Sequence, residues 1–199
     1  MKFLNFVFFC FLIISCNNNK QNKNLNRHNP YEHIDQNIEN ENAIELYYEG
    51  LDFFEEGNFE SAIESFSKSF EIEKNPIILN ELGTIELKRK KYSEAIKYYN
   101  QGRKLDKYYW PIYINEARTH AKLSEFEEAE RILALLKKLC KSDYWIAYSD
   151  YLLATIHFLN GQDCVKVFDF LEKSKNMASD SELSKSYLKF KKHVEKNCG

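Results

Sequence analysis

Gly57-Asn58-Phe59-Glu60-Ser61-Ala62-Ile63, Lys90-Lys91-Tyr92-Ser93-Glu94-Ala95-Ile96 and Ser124-Glu125-Phe126-Glu127-Glu128-Ala129-Glu130 share one arrangement, an aromatic residue three positions before the residue that is alanine in each. Ala62, Ala95 and Ala129 lie 33 and then 34 positions apart. Twelve residues before each alanine stands a small residue (Gly50, Gly83, Ala117), and four after it a large one (Phe66, Tyr99, Leu133). Seven after it come Ser69, Gly102 and Leu136. A period of this size marks stacked units, each too small to bury its apolar face alone. Gly50 with Ala62, or Gly83 with Ala95, would let two helices approach where a leucine would hold them apart. Gly57-Asn58 ends a helix because both residues tolerate positive φ. Pro76 and Pro111 open the second and third units, where a helix's first turn accepts proline.

These residues and their spacing resemble the tetratricopeptide repeat, a helical hairpin of ~34 residues. The resemblance implies an all-α fold, a solenoid of about four helical hairpins plus a C-terminal capping helix. The units fall at about residues 43–75, 76–108, 109–142 and 143–177. In the fourth, Leu153-Ala154 and His157-Phe158 belong to the first helix, Asn160-Gly161 to the turn, and Val167, Leu171 and Ser174 to the second. There Val167 replaces the expected alanine, and residues are inserted around Asp163-Cys164. From Ser181, Leu183, Tyr187, Phe190 and Val194 form one apolar stripe against Lys185, Lys189, Lys192 and Lys196. A solenoid needs a terminal helix with a polar outer face, so residues 178–199 read as that cap. A cationic helix lying on a membrane is the rival reading.

The first fifteen residues carry Lys2 followed by an apolar run, which is too short to span a bilayer. Ile13-Ile14-Ser15 before Cys16 resembles the lipobox of bacterial lipoproteins. That resemblance implies cleavage before Cys16 and acylation of its thiol and new amino terminus. Two or three acyl chains hold a membrane stably where one does not. Residues 16–42 are Asn-rich with few large apolar groups, as expected of a flexible tether. Formal net charge is −2, with both signs interspersed, which argues against nucleic acid as a partner.

If Cys16 is acylated, Cys140, Cys164 and Cys198 remain after the signal is removed, in a compartment that permits disulfides. Cys164 lies at the turn of the fourth hairpin, and Cys140 ends the preceding helix at the opposite edge. A cap of about sixteen residues runs back for about 24 Å and brings Cys198 beside Cys164. Cys164–Cys198 is therefore the expected pair, with three free thiols as the alternative. His120 and His157 hold equivalent places in units three and four and read as packed histidines rather than a metal pair. No His-Glu-x-x-His helix, Gly-x-Ser-x-Gly elbow, phosphate-cradling loop or Cys-x-x-Cys pair occurs. Neither catalysis nor a cofactor or metal is expected.

In the tetratricopeptide family the first helix of each hairpin lines a groove for peptides or helices. Carried over, that places Tyr47, Leu51 and Phe54 in unit one and Asn80, Thr84, Leu87 and Lys88 in unit two. Unit three adds Ile114, Arg118 and Lys122, and unit four adds Tyr148, Tyr151 and Thr155. Tyr47 and Leu51 stand where the chaperone-tail groove has Lys and Asn, so that ligand is not expected. The chain thus reads as a lipid-anchored adaptor that mediates protein–protein interactions in a bacterial cell-envelope assembly. The outer membrane is favoured over the inner. The alternative is a periplasmic or surface module for glycan or peptidoglycan, with Tyr and Trp as platforms.

Overall fold

The computed structural model describes residues 38–161, 164–179 and 183–198. Among them run nine α-helices: α1 (Glu41–Glu55), α2 (Phe59–Ile72), α3 (Pro76–Lys88), α4 (Tyr92–Leu105), α5 (Trp110–Lys122), α6 (Phe126–Leu139), α7 (Asp143–Leu159), α8 (Cys164–Lys173) and α9 (Ser184–Cys198). A short 3-10 turn, Lys175–Ser179, separates the last two. Successive helices pair as hairpins, α1 with α2 through α7 with α8, and each hairpin packs on the next.

Local chemistry sets the helix ends. The Asn40 side chain accepts from the N–H groups of Asn42 and Ala43. Asn58 caps α2 through Ser61, and Asn75 caps α3 through Ile77. Each cap satisfies donors that a first turn leaves unpaired. The turns inside the hairpins are one structure repeated: Gly57, Lys90, Ser124 and Gly161 all have positive φ, between 60° and 77°. After the first three, the next N–H reaches back to a carbonyl five residues earlier: Asn58 to Phe53, Lys91 to Glu86, Glu125 to His120. This closure satisfies carbonyls at a helix end. Of the four turn residues with positive φ, two are not glycine.

Packing explains the repeat. Ala62, Ala95 and Ala129 are fully buried, as are Phe66, Tyr99 and Leu133. Gly50 and Gly83 also make room for a ring of the facing helix. A Cβ at Gly50 would stand 2.9 Å from the Phe66 ring, and one at Gly83 would stand 2.3 Å from that of Tyr99. Unit three keeps the balance with Ala117 and Leu133, both fully buried. Between units, ion pairs with a buried carboxylate tie a second helix to the following first helix. Arg103 of α4 meets Glu116 of α5 at 2.5 Å, and Lys137 of α6 meets Asp150 of α7 at 2.5 Å. Burial raises the Glu116 carboxyl above its ordinary value, with the Arg103 guanidinium pulling the other way.

The cap sits where expected, on α7, α8 and the 3-10 turn. Tyr187 is buried and its hydroxyl donates to the Leu171 carbonyl at 2.8 Å. Cys164 and Cys198 form a disulfide, their Cα atoms 5.6 Å apart, while Cys140 is a buried free thiol.

One boundary moves. The first unit includes Ile38, five residues before Ala43, which is fully buried in that unit's core. The N–H groups of Glu39 and Asn40 donate to the Glu73 carboxylate, each at 2.9 Å. Residues 38–42 therefore belong to the first unit and not to the tether. The remainder of that segment, the signal at residues 1–15 and Cys16 lie outside the described residues.

Candidate functional site

Across units α3 packs on α5 and α5 on α7, so these three first helices form one continuous layer. Side chains that point along this layer meet laterally. Asn115 donates from Nδ2 to Asn80 Oδ1 at 2.9 Å, and Asn80 donates in turn to Glu81 Oε1 at 2.9 Å. One unit further on, the Arg118 guanidinium donates to the Tyr148 hydroxyl and lies over the Tyr148 ring, 5.2 Å from its centroid. Tyr148 stacks between Trp145 and Tyr151, with centroids 6.1 and 6.4 Å away. Tyr151 continues into the cap through Tyr187 and Phe190. Burial pushes the Tyr151 hydroxyl up, with Tyr148 adding to the effect and Arg118 opposing it.

These contacts sort the expected groove residues. Tyr47 is not a free contact residue: it is fully buried, with its ring edge-on to Phe66 at 5.3 Å. Asn80, only 2 % exposed, is committed to its neighbours, and Tyr148 is buried in the aromatic stack. Ile114 is buried as well. Leu51, Phe54, Thr84, Leu87, Arg118, Tyr151 and Thr155 are half-buried, and Lys88 and Lys122 are exposed.

What is left open has a pattern. Phe54, Lys88 and Lys122 occupy the same place near the ends of α1, α3 and α5, each 34 positions after the last. The Lys88 ammonium sits 5.1 Å from the centre of the Phe54 ring. Among the described residues neither lysine enters an ion pair. Arg118 stands one helical turn before Lys122 on α5, so the inner layer carries three cations along α3 and α5. Such a set attracts carboxylates, and the half-buried Leu51, Phe54 and Leu87 offer apolar surface next to it.

The platforms needed for a sugar are less available. Trp110 and Trp145 are 4 % and 6 % exposed, and of Tyr108-Tyr109-Trp110 only Tyr108 is open, at 55 %. His120 Nδ1 lies 2.6 Å from the Glu125 carboxylate, and His157 stacks on Phe170 at 5.2 Å. Among the described residues no three potential ligands gather for a metal. The recurring ion pairs were missed in the sequence, though Arg103 with Lys137 and Glu116 with Asp150 recur at the 34-residue period.

Neither a protein-family model nor a curated protein sequence matches the chain. Solved structures do. A tetratricopeptide repeat protein from Parabacteroides merdae superposes with a TM-score of 0.60 at 20% identity, over 79% of this chain; the chain spans 62% of that protein's length. MamA from Desulfovibrio magneticus RS-1 gives 0.57 at 15% identity, over 79% of this chain and 95% of that one. The first tetratricopeptide domain of Spaghetti, bound to the HSP90 peptide SRMEEVD, gives 0.54 at 19% identity, over 63% of this chain and 98% of that one. The fold is that of the tetratricopeptide solenoid.

Proposed function

We infer that this chain is a membrane-anchored scaffold that captures an extended acidic segment of a partner protein along the inner layer of its hairpins. The observation that carries the reading is the row Phe54, Lys88 and Lys122, whose two cations have no anionic partner among the described residues. An extended peptide laid across successive units would meet one such residue per unit. The peptide on the Spaghetti domain, SRMEEVD, is itself acidic. Its mode of capture would differ here, because a tyrosine buried in the core and a leucine replace the Lys and Asn of the chaperone-tail clamp. The buried indoles give the glycan alternative less support.

Anchoring rests on the sequence Ile13-Ile14-Ser15-Cys16, and a bacterial envelope is the setting that such an anchor implies. Metabolic labelling with palmitate tests it: label should appear on the wild-type chain and vanish with Cys16→Ala. Continued labelling of that variant contradicts the anchor. For the partner, pull-down from envelope extracts should recover a stoichiometric protein with the wild type and lose it with Lys88→Glu plus Lys122→Glu. Retention only on cell-wall material would favour the glycan alternative.

A further inference from the structure

The two ends of the stack carry opposite charge. On α1 the residues Glu41, Glu45, Tyr48, Asp52 and Glu55 recur at spacings of 4, 3, 4 and 3, which places them in one stripe along the helix. All five are exposed. From Ile38 to Ser67 there are nine acidic residues and no basic one. At the other end, α9 presents Lys185, Leu188, Lys189, Lys192 and Lys196 on its exposed side, and its one acid is Glu195. Each stripe holds one large apolar residue in the open, Tyr48 at 48 % and Leu188 at 52 % exposure. Among the described residues none of the charges in the two stripes, Glu41, Glu45, Asp52 and Glu55 on α1 and Lys185, Lys189, Lys192 and Lys196 on α9, enters an ion pair.

A polar outer face on a terminal helix serves solubility in any solenoid. Solubility does not call for a single sign, however, and other exposed helices here mix signs, as Glu64 with Lys68 on α2 and Asp169 with Lys173 on α8 show. We propose that copies of this chain associate head to tail, the acidic face of α1 on one copy meeting the basic face of α9 on the next. Like ends repel, so a two-fold contact between identical faces is disfavoured and the heterologous contact is selected. Such a contact links copies in a row, which stays open or closes into a ring according to the rotation between neighbours. Tyr48 and Leu188 supply the apolar centre that two 15-residue helices need in order to pack. The inner layer with Lys88 and Lys122 takes no part, so each copy in a row keeps its partner site.

The test uses the full chain in a mild non-ionic detergent, followed by sedimentation velocity over a range of protein concentrations. At about 10 mM salt, where screening acts over about 30 Å, the mean sedimentation coefficient should rise with concentration. Near 1 M salt, where it acts over about 3 Å, the rise should disappear. Replacing Lys185, Lys189, Lys192 and Lys196 by Glu should weaken association at least about tenfold, as should replacing Glu41, Glu45, Asp52 and Glu55 by Lys. Mixing the two variants should restore assembly, because each then offers ends that fit the other. Lys189→Glu and Glu45→Lys alone keep the test open if a fourfold variant does not fold. A monomer at every concentration in low salt would overturn the proposal, as would assembly indifferent to both sets of substitutions. So would a chain that stays monomeric yet binds anionic vesicles through α9, since the lysines would then serve a lipid surface.

Discussion

The ring of Tyr99 fills the space that Gly83 leaves, so closely that a Cβ at Gly83 would stand 2.3 Å from its Cε1. Tyr99 is fully buried and cannot swing aside. Gly83→Ala should therefore destabilise the fold by about 1–3 kcal/mol, although alanine is favoured over glycine in a helix by about 1 kcal/mol. Adding Tyr99→Leu should recover much of the loss, because unit three pairs Ala117 with Leu133 at the same two places. Denaturant unfolding of the two single variants and the double variant measures the coupling.

Lys90 and Ser124 hold a left-handed backbone at φ 61° and 60° without being glycine. That conformation costs a residue with a Cβ roughly 1–2 kcal/mol, part of which glycine returns through its freer unfolded chain. Lys90→Gly and Ser124→Gly should each raise stability by up to about 1 kcal/mol, read as an increase in Tm. A fall in Tm for both would contradict the turn geometry.

Arg103 and Glu116 are both largely buried, and removing one leaves the other charge without its partner. Glu116→Leu alone should cost about 3–5 kcal/mol, whereas Arg103→Met with Glu116→Leu should come close to wild type. Urea unfolding compares the three chains.

The hairpins were legible because their determinants are local. A small residue, an aromatic and an alanine at fixed spacing are what each closed hairpin needs, and they recur with it. Helix length and direction pointed to Cys164–Cys198 with three free thiols as the alternative, and the structure has that pair bonded. The free surface of the inner layer was not legible in this way. Whether Asn80 or Tyr148 faces solvent depends on the angle between units, which lets Asn115 reach Asn80 and Arg118 reach Tyr148. Ile38 was hidden for another reason, as one of few apolar residues in an Asn-rich stretch. The inter-unit ion pairs had a periodic signal, but it was diluted among many exposed charges.

The disulfide joins residues 34 apart in sequence and fixes the end of α9 to the start of α8. Reducing it should lower stability by about 2–4 kcal/mol. Loss of protection should concentrate in α9 when followed by amide hydrogen exchange. Non-reducing peptide mapping should yield one cross-linked fragment holding Cys164 and Cys198, with Cys140 free.

The inner layer as the site of capture is tested most directly by a photo-crosslinking residue placed in living cells at Lys122, and separately at Lys97 on α4, whose side chain is 74% exposed. A discrete protein adduct formed from position 122 and not from position 97 is the result expected. An adduct from position 97 with none from 122 would mean that partners dock on the other side of the stack.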